Sequence, residues 1–144
     1  MEGKRRRAAV DRTHLNRCPM QKPKSNGLKR LWYATGYSMQ GFQAAWRNEA
    51  AFRQEVVVGI ILLPVALWLG ASMFERALLL FSLLLVMVVE LLNSALESAI
   101  DRIGPERHEL SGRAKNLGSA AVMLSILAGA AVWAMIAYDR FWHS

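Results

Sequence analysis

Apolar residues are gathered into three long runs separated by short polar segments. The first run, Val56 to Phe74, has nineteen consecutive uncharged residues, and the second, Ala77 to Val89, has thirteen. The third run, Asn116 to Tyr138, has twenty-three uncharged residues. Because a helix of roughly 20 apolar residues crosses the hydrocarbon of a bilayer, the pattern predicts three transmembrane helices in an all-α membrane protein. The predicted spans are about 55–74, 77–100 and 116–138.

Residues 28–53 have a different character, since they combine aromatic side chains with charges and are too polar to span a bilayer. Their aromatic residues include Trp32, Phe42 and Trp46. The mixture is typical of an amphipathic helix that lies on the membrane surface. We expect such a helix over about 28–53, with a break near Gly36 or Gly41.

The N-terminal segment, residues 1–27, is basic and poor in apolar residues, with the runs "GKRRR" and "NRCPMQKPKSNG". Such a composition cannot bury enough surface to offset the entropy lost on ordering, so it predicts a flexible basic tail. Attraction to anionic lipid headgroups is a second possible role for it. No apolar core occurs in the first thirty residues, so no cleavable signal peptide is expected. Cys18 is the only cysteine, which excludes an intrachain disulfide.

The net charge of +7 is distributed unevenly along the chain. Twelve of the eighteen Lys and Arg residues lie in residues 1–53, ahead of the first long apolar run. Such clustering beside a span is typical of cytoplasmic membrane flanks rather than of nucleic-acid binding, so no nucleic-acid partner is expected. The prediction is a cytoplasmic N-terminus and a cytoplasmic loop at 101–117, with the loop near residue 72 and the C-terminus outside. Lys and Arg then number 12 and 4 inside against 1 and 1 outside.

Polar residues continue the second apolar run at helical spacing. We call four of them the polar seam: Glu90, Asn93, Glu97 and Asp101. At 100° per residue these positions share an arc of about 80° on one helix, and Ser94 lies beside them. A charged group at mid-membrane costs at least ~2.5 to 3.5 kcal/mol and is usually directed at protein or water. We therefore expect an oligomer in which subunits shield one another's seams.

The chemistry of the seam leaves several functions open. Clustered carboxylates suit Mg²⁺, and Arg113 and Lys115 beyond them suit phosphate, so phosphoryl transfer to a lipid is one interpretation. A small transporter that couples ions through Glu90, or a structural hydrogen-bonding group, is another. Neither a Gly-x-x-x-x-Gly-Lys-Ser/Thr phosphate loop nor a protein-kinase glycine loop is present in the sequence.

Three sequence blocks resemble those of the bacterial integral-membrane diacylglycerol kinases. They are "AAWRNEAAFRQE" (Ala44 to Glu55), "VELLNSALESAIDRIG" (Val89 to Gly104) and "HELSGRAKNLGSAAV" (His108 to Val122). The resemblance covers roughly residues 28–140. It implies a homotrimer in the bacterial inner membrane, with three spans and a surface helix per subunit and with active sites shared between subunits. It also implies transfer of the γ-phosphate of Mg-ATP to diacylglycerol, giving phosphatidate. The related undecaprenol kinase is the alternative, although "NEAAFRQE" looks more like the diacylglycerol branch.

The same resemblance assigns roles to individual residues. Glu90 matches the proposed general base, Asn93 would position groups near it, and Glu49 and Glu97 match the carboxylates that hold Mg²⁺ with ATP. The further positions implied for ATP binding are Arg30, Tyr37, Asp101, Glu106, Arg107, His108, Lys115 and Asn116. The positions implied for the lipid substrate are Ala51, Phe52, Arg53, Gln54, Glu55 and Ser119, together with Glu90. Relatives commonly have Asp where this chain has Asn116, so this chain has an amide in place of that negative charge.

Overall fold

The computed structural model describes residues 27–103 and 108–142, and within them all regular secondary structure is α-helical. The helices are α1 (Gly27–Asn48), α2 (Ala50–Leu69), α3 (Met73–Ile103) and α4 (Glu109–Trp142). The predicted all-α class is therefore confirmed. The basic tail up to residue 26, and the predicted nucleotide-side residues Glu106 and Arg107, lie outside the described residues.

Three of the four helices, α2, α3 and α4, are long and apolar enough to cross a membrane, as predicted. α3 and α4 extend beyond their apolar runs, with 31 and 34 residues. At 1.5 Å per residue α3 is about 46 Å long, which exceeds the ~30 Å of hydrocarbon. α3 therefore carries the polar seam beyond its apolar part, and α4 carries Lys115 beyond its own apolar part.

α1 differs from the expected surface helix in where it is interrupted. It continues through Gly36 and Gly41, since one glycine costs a helix only about 1 kcal/mol. Its residues up to Ser38 belong to one compact unit of the chain, and residues from Met39 onward form a second. The functional site described below is built from the second unit.

The interruption occurs instead at Glu49, whose backbone is extended with φ −105° and ψ 114°. The Arg53 guanidinium stabilises this corner, because its Nη1 donates to Trp46 O at 3.0 Å and to Arg47 O at 3.3 Å. These carbonyls lie at the C-terminal end of α1, where helical carbonyls lack intrahelical partners. Residues 50–53, which were expected to close the surface helix, therefore begin α2.

α2 and α3 are joined by residues 70–72. Arg76 Nε donates to Gly70 O at 2.9 Å, and Gly70 N donates to Ala66 O at 3.1 Å. A Cβ at position 70 would lie 2.7 Å from Arg76 Cγ, so this turn requires glycine for its close approach. The side chain of Arg76 thus holds the start of this connection through the carbonyl of Gly70.

The hydrophobic core lies near this turn and joins α2, α3 and α4. Its buried members are Ala66, Leu69, Leu79 and Ile136, and Trp133 packs against them. Away from this core, α3 faces α4 along the polar seam, where Gly118 of α4 lies against Asn93. The fold therefore places the seam against the chain's own fourth helix.

Candidate active site

α2, α3 and α4 together line a groove of ≈ 650 Å³. Most of its lining is apolar, as at Leu62, Val86 and Ile126, whereas one end carries the carboxyl groups of Glu55 and Glu90. Glu90 is buried, with 5% of its surface exposed. The groove thus offers apolar walls and a carboxylate end, which suits a molecule with an apolar chain and a polar head.

Several carboxylates converge at that polar end. Glu49 and Glu97 are close enough to Glu90 to interact with it electrostatically, and Glu55 interacts with Glu90 from α2. Because like charges repel in a region of low dielectric constant, this cluster favours the approach of protons or cations. The break after α1 is what brings Glu49 to the group.

Asn93 connects the cluster to the next turn of α3. Its Nδ2 donates to Glu97 Oε1 at 3.1 Å, a contact between residues four apart on one helical face. Its Oδ1 is buried and has no hydrogen-bond partner among the described residues, and the same holds for Glu55 Oε2. A buried acceptor without a partner costs about 1–3 kcal/mol, so a donor that reached either oxygen would stabilise it.

The donor set fits a hard cation in its chemistry, since carboxylate and amide oxygens are the ligands that Mg²⁺ prefers. Glu49 and Glu97, the residues predicted to hold the metal, both lie near Glu90. Within the described ranges, no group of three or more His, Cys, Asp or Glu side chains could hold a metal ion by itself. Mg²⁺ usually completes its shell with water and substrate phosphates, so two carboxylates suffice for metal that arrives with a nucleotide.

An ion pair between two helices lies at the Asp101 end of the seam. Lys115 Nζ on α4 lies 2.5 Å from Asp101 Oδ1 on α3, and the side chains are 37% and 65% exposed respectively. Lys115 also interacts electrostatically with Glu97. A partly exposed cation therefore lies between the carboxylate cluster and solvent, in reach of an anionic group that enters there.

The remaining predicted nucleotide positions are spread over several elements. His108 precedes α4, where its Nδ1 accepts a hydrogen bond from Leu110 N at 3.2 Å, and Asn116 is exposed beside Lys115. Arg30 and Tyr37 lie exposed on the part of α1 that belongs to the first unit.

The block predicted to contact the lipid divides into two groups. Its groove-lining members are Ala51, Gln54 and Glu55. Phe52 is buried and stacks on Phe42, with ring centroids 6.5 Å apart, while Arg53 is bonded to the carbonyls of α1. Ser119 is exposed on α4, one turn before Val122 of the groove lining.

Two groove residues were not predicted from the sequence. Trp133 Nε1 donates to Ser82 Oγ at 3.1 Å, and both side chains line the groove at the end away from Glu90. Ser82 is a hydroxyl inside the second apolar run, and polar groups in membrane helices usually have partners. The sequence therefore indicates that Ser82 has a partner. It does not identify Trp133 as that partner, because Trp133 lies 51 residues further along the chain.

Comparison with known proteins agrees with the resemblance seen in the sequence blocks. The family described as "Prokaryotic diacylglycerol kinase" matches residues 36–137. The protein named "Diacylglycerol kinase" of Escherichia coli (strain K12) is 49% identical over 117 residues, which cover 81% of this chain and 96% of that protein. The Pseudomonas aeruginosa protein of the same name is 52% identical over 110 residues, covering 76% and 89%. That of Helicobacter pylori (strain 26695) is 39% identical over 111 residues, covering 77% and 87%.

These relatives are kinases by name, and three apolar helices make this chain a multi-pass membrane protein. The chain therefore belongs to the prokaryotic diacylglycerol kinase family and is an enzyme of the kinase class.

Proposed function

We propose that this protein transfers the γ-phosphate of ATP, bound with Mg²⁺, to the free hydroxyl of diacylglycerol and releases phosphatidate and ADP. One observation carries the proposal: a buried carboxylate, Glu90, lies where an apolar groove meets a cluster of polar side chains. A lipid alcohol can reach this position with its chains still in apolar surroundings, while phosphate approaches along the seam. The names of the relatives support diacylglycerol as the alcohol.

Glu90 acts as the general base in this scheme. The hydroxyl oxygen of the lipid attacks the γ-phosphorus, its proton passes to the Glu90 carboxylate, and the bond from the γ-phosphorus to the bridging oxygen of the β-phosphate breaks. ADP departs with the electron pair of that bond. Because Glu90 is buried, little water competes with the lipid hydroxyl for the phosphoryl group. Glu55, whose carboxyl group lines the groove beside Glu90, would lie next to the glycerol head.

Glu49 and Glu97 would hold the Mg²⁺ together with phosphate oxygens of ATP, and Asn93 orients Glu97 through its hydrogen bond. When bound, the metal neutralises part of the charge on the phosphates. Asn93 Oδ1 is a buried acceptor that lies against Gly118 of α4.

Lys115 would bind the ATP phosphates, and its pairing with Asp101 holds it at the seam before the nucleotide arrives. The further nucleotide positions implied by the family resemblance, Arg30, Tyr37, Glu106, Arg107, His108 and Asn116, stay predictions. This assignment requires the loop of residues 101–117 to face the cytoplasm, where ATP is present. The excess of Lys and Arg on that side and in residues 1–53 supports this orientation in the bacterial inner membrane.

We further propose that the protein works as a homotrimer with active sites shared between subunits. Within the apolar window of each span, only 11% to 22% is buried inside the single chain. Much of the helical surface is therefore available to lipid or to other subunits. The resemblance to the family supports three subunits as the assembly.

The decisive experiment supplies the full-length protein in mixed micelles with Mg-ATP labelled on its γ-phosphate. Diacylglycerol and undecaprenol are offered in separate reactions, and labelled lipid is separated and counted. We expect phosphatidate to form much faster than undecaprenyl phosphate. Preferential labelling of undecaprenol would move the protein to the polyisoprenoid branch. If a folded, assembled preparation labelled neither lipid, the kinase proposal would be overturned and ion coupling through Glu90 would become the better explanation.

A further inference from the structure

The groove has a second end, opposite Glu90, and a pair of hydrogen-bonded side chains closes it. Trp133 of α4 and Ser82 of α3 both line the groove, and the indole Nε1 donates to Ser82 Oγ at 3.1 Å. We call these two residues the end wall. It lies within the apolar part of both helices, where the groove would otherwise run on between them.

The end wall is rigid because its hydrogen bonds form a chain. Ser82 Oγ donates to Leu79 O at 2.7 Å, which fixes the hydroxyl and directs its remaining lone pairs toward the indole. In apolar surroundings, breaking the bond between the indole N–H and the hydroxyl would cost free energy for both groups. Gly129, one turn before Trp133, lies against Ser82, so α3 and α4 approach closely at this level.

The hydrophobic core lies directly behind the end wall. Leu79 is fully buried within it, and Trp133 packs against the cluster that also contains Ala66, Leu69 and Ile136. A ligand in the groove cannot extend past Trp133 without displacing this core. The end wall therefore fixes the depth of the groove.

That depth can be stated from the helix itself. Ser82 precedes Glu90 by eight residues on α3, which corresponds to about 12 Å at 1.5 Å per residue. Half of the ~30 Å hydrocarbon thickness is roughly 15 Å. The groove is thus shallower than one leaflet, and a long acyl chain that entered it would meet the end wall before its full length was bound.

We propose that one acyl chain of the diacylglycerol lies in this groove and that the Trp133–Ser82 end wall sets the chain length at which the enzyme stops gaining efficiency. The inference rests on the proposed function, because it assigns part of the same substrate to part of the same site. Each methylene up to the depth of the groove adds packing contacts, whereas methylenes beyond it remain in the bilayer or fold back.

The expected increase in kcat/KM per methylene is small, because the acyl chain passes from one apolar environment to another. Transfer from water would give about fourfold in kcat/KM per methylene, but lipid tails are as apolar as the groove and only packing distinguishes them. We therefore expect about a twofold increase per added methylene at most, followed by a plateau.

The experiment measures kcat/KM for diacylglycerols with two identical saturated chains, from hexanoyl to hexadecanoyl, by varying the mole fraction of each in mixed micelles. The wild-type enzyme should reach its plateau at medium chain length. Trp133→Ala lengthens the groove, so the plateau should move to longer chains and the long-to-medium ratio should rise about twofold to fivefold. The KM for ATP should stay unchanged, because the end wall is remote from the nucleotide side.

A second variant has the opposite expectation and does not disturb the core. Ala130 is an exposed residue of the groove lining, and Ala130→Leu adds volume one turn before Trp133. Its plateau should move to shorter chains. Trp142→Ala is the matched control, since it removes the same side chain from the end of α4, where Trp142 stacks on Tyr138. This control should keep the wild-type profile.

The outcomes separate the two proposals. If the wild-type enzyme phosphorylates diacylglycerols but Ala130→Leu and a folded Trp133→Ala both keep its chain-length profile, the end wall does not gauge the chain. If Trp133→Ala does not fold, an unchanged chain-length profile for Ala130→Leu is by itself enough to overturn the inference. Absence of activity on every diacylglycerol in the wild type contradicts the proposed function instead.

Discussion

Lys115 on α4 and Asp101 on α3 are joined by an ion pair, with 2.5 Å between Nζ and Oδ1. The pair connects two helices at the Asp101 end of the polar seam. Glu97 lies near enough to Lys115 to interact with it. A lysine placed in this way lies beside the carboxylate cluster without being buried, as its proposed role in phosphate binding requires.

Replacing this lysine tests its proposed role in nucleotide binding. Lys115→Met should raise the KM for ATP about tenfold to a hundredfold, because a charged donor to phosphate is lost. The midpoint of thermal unfolding should change little, since exposed ion pairs stabilise weakly. Steady-state kinetics at varied ATP concentration and a thermal melt in detergent measure both quantities. Lys115→Arg retains the charge and should fall between the wild type and Lys115→Met; equal KM values for all three would remove Lys115 from the site.

Glu90→Gln tests the proton transfer. The amide retains the shape of the side chain but cannot accept the hydroxyl proton, so kcat should fall by about 10²–10⁴ while the KM for ATP is unchanged. Labelled-phosphate transfer under saturating ATP gives kcat directly. Asp139→Asn, an equivalent change at an exposed position of α4, should retain full activity. Turnover by Glu90→Gln within a few-fold of the wild type would show that the base is another group.

Gly118→Ala tests the packing of α4 against the seam. A Cβ at position 118 would overlap Asn93 Oδ1, so the amide must move and its bond to Glu97 must lengthen or break. We expect a loss of about 1–3 kcal/mol in the free energy of unfolding together with a lower kcat. Chemical unfolding in detergent and the kinase assay measure the two effects.

The matched control is Gly112→Ala on the same helix, where an added Cβ meets nothing within 4 Å. This substitution should stabilise α4 by about 0.5–1 kcal/mol, since alanine is the better helix former, and leave kcat unchanged. The double variant Gly118→Ala with Asn93→Ala should recover stability, because the overlap is removed, but not activity. If Gly118→Ala were as stable and active as Gly112→Ala, Asn93 would not depend on the close approach of α4.

Arg53→Met tests the corner that positions Glu49. The substitution removes the donor to Trp46 O and Arg47 O, so the end of α1 should fray at a cost of about 1 kcal/mol. Because Glu49 lies in this corner, the KM for Mg-ATP should rise about tenfold or more. Arg47→Met removes a neighbouring guanidinium for which no such hydrogen bond occurs among the described residues, and it should leave this KM near the wild-type value. A direct lipid-binding role for Arg53 would instead raise the KM for diacylglycerol.

The features that the sequence predicted are those carried by local periodicity. The lengths of the apolar runs specified three spans, and 3.6-residue periodicity placed Asn93 and Glu97 on one face of α3, where they are hydrogen bonded. The features that it missed depend on contacts between distant segments. The pairing of Ser82 with Trp133 is of this kind.

The interruption before α2 shows the same limit at shorter range. Glycine content favoured a break at Gly36 or Gly41, whereas the chain breaks at Glu49, where a side chain from the next helix bonds the carbonyls of α1. The low helix propensity of the two glycines had less influence on the position of the break than the hydrogen bond that Arg53 donates to α1. The division of residues 51–55 into groove-lining and packing positions also followed from this corner rather than from composition.

The continuous helix of α3 joins the lipid end of the site to its aqueous end. Asp101 lies eleven positions after Glu90, which is about 17 Å of rise along one continuous helix. In the proposed reaction, the number of residues between Glu90 and Asp101 therefore sets the depth of the lipid alcohol below the water. Inserting or deleting a single residue in this interval would shift Glu90 by about 1.5 Å and turn it by about 100° away from the face that carries Asp101. Substitution can adjust this stretch of α3, but a change in its length would separate the two substrates onto different faces of the helix.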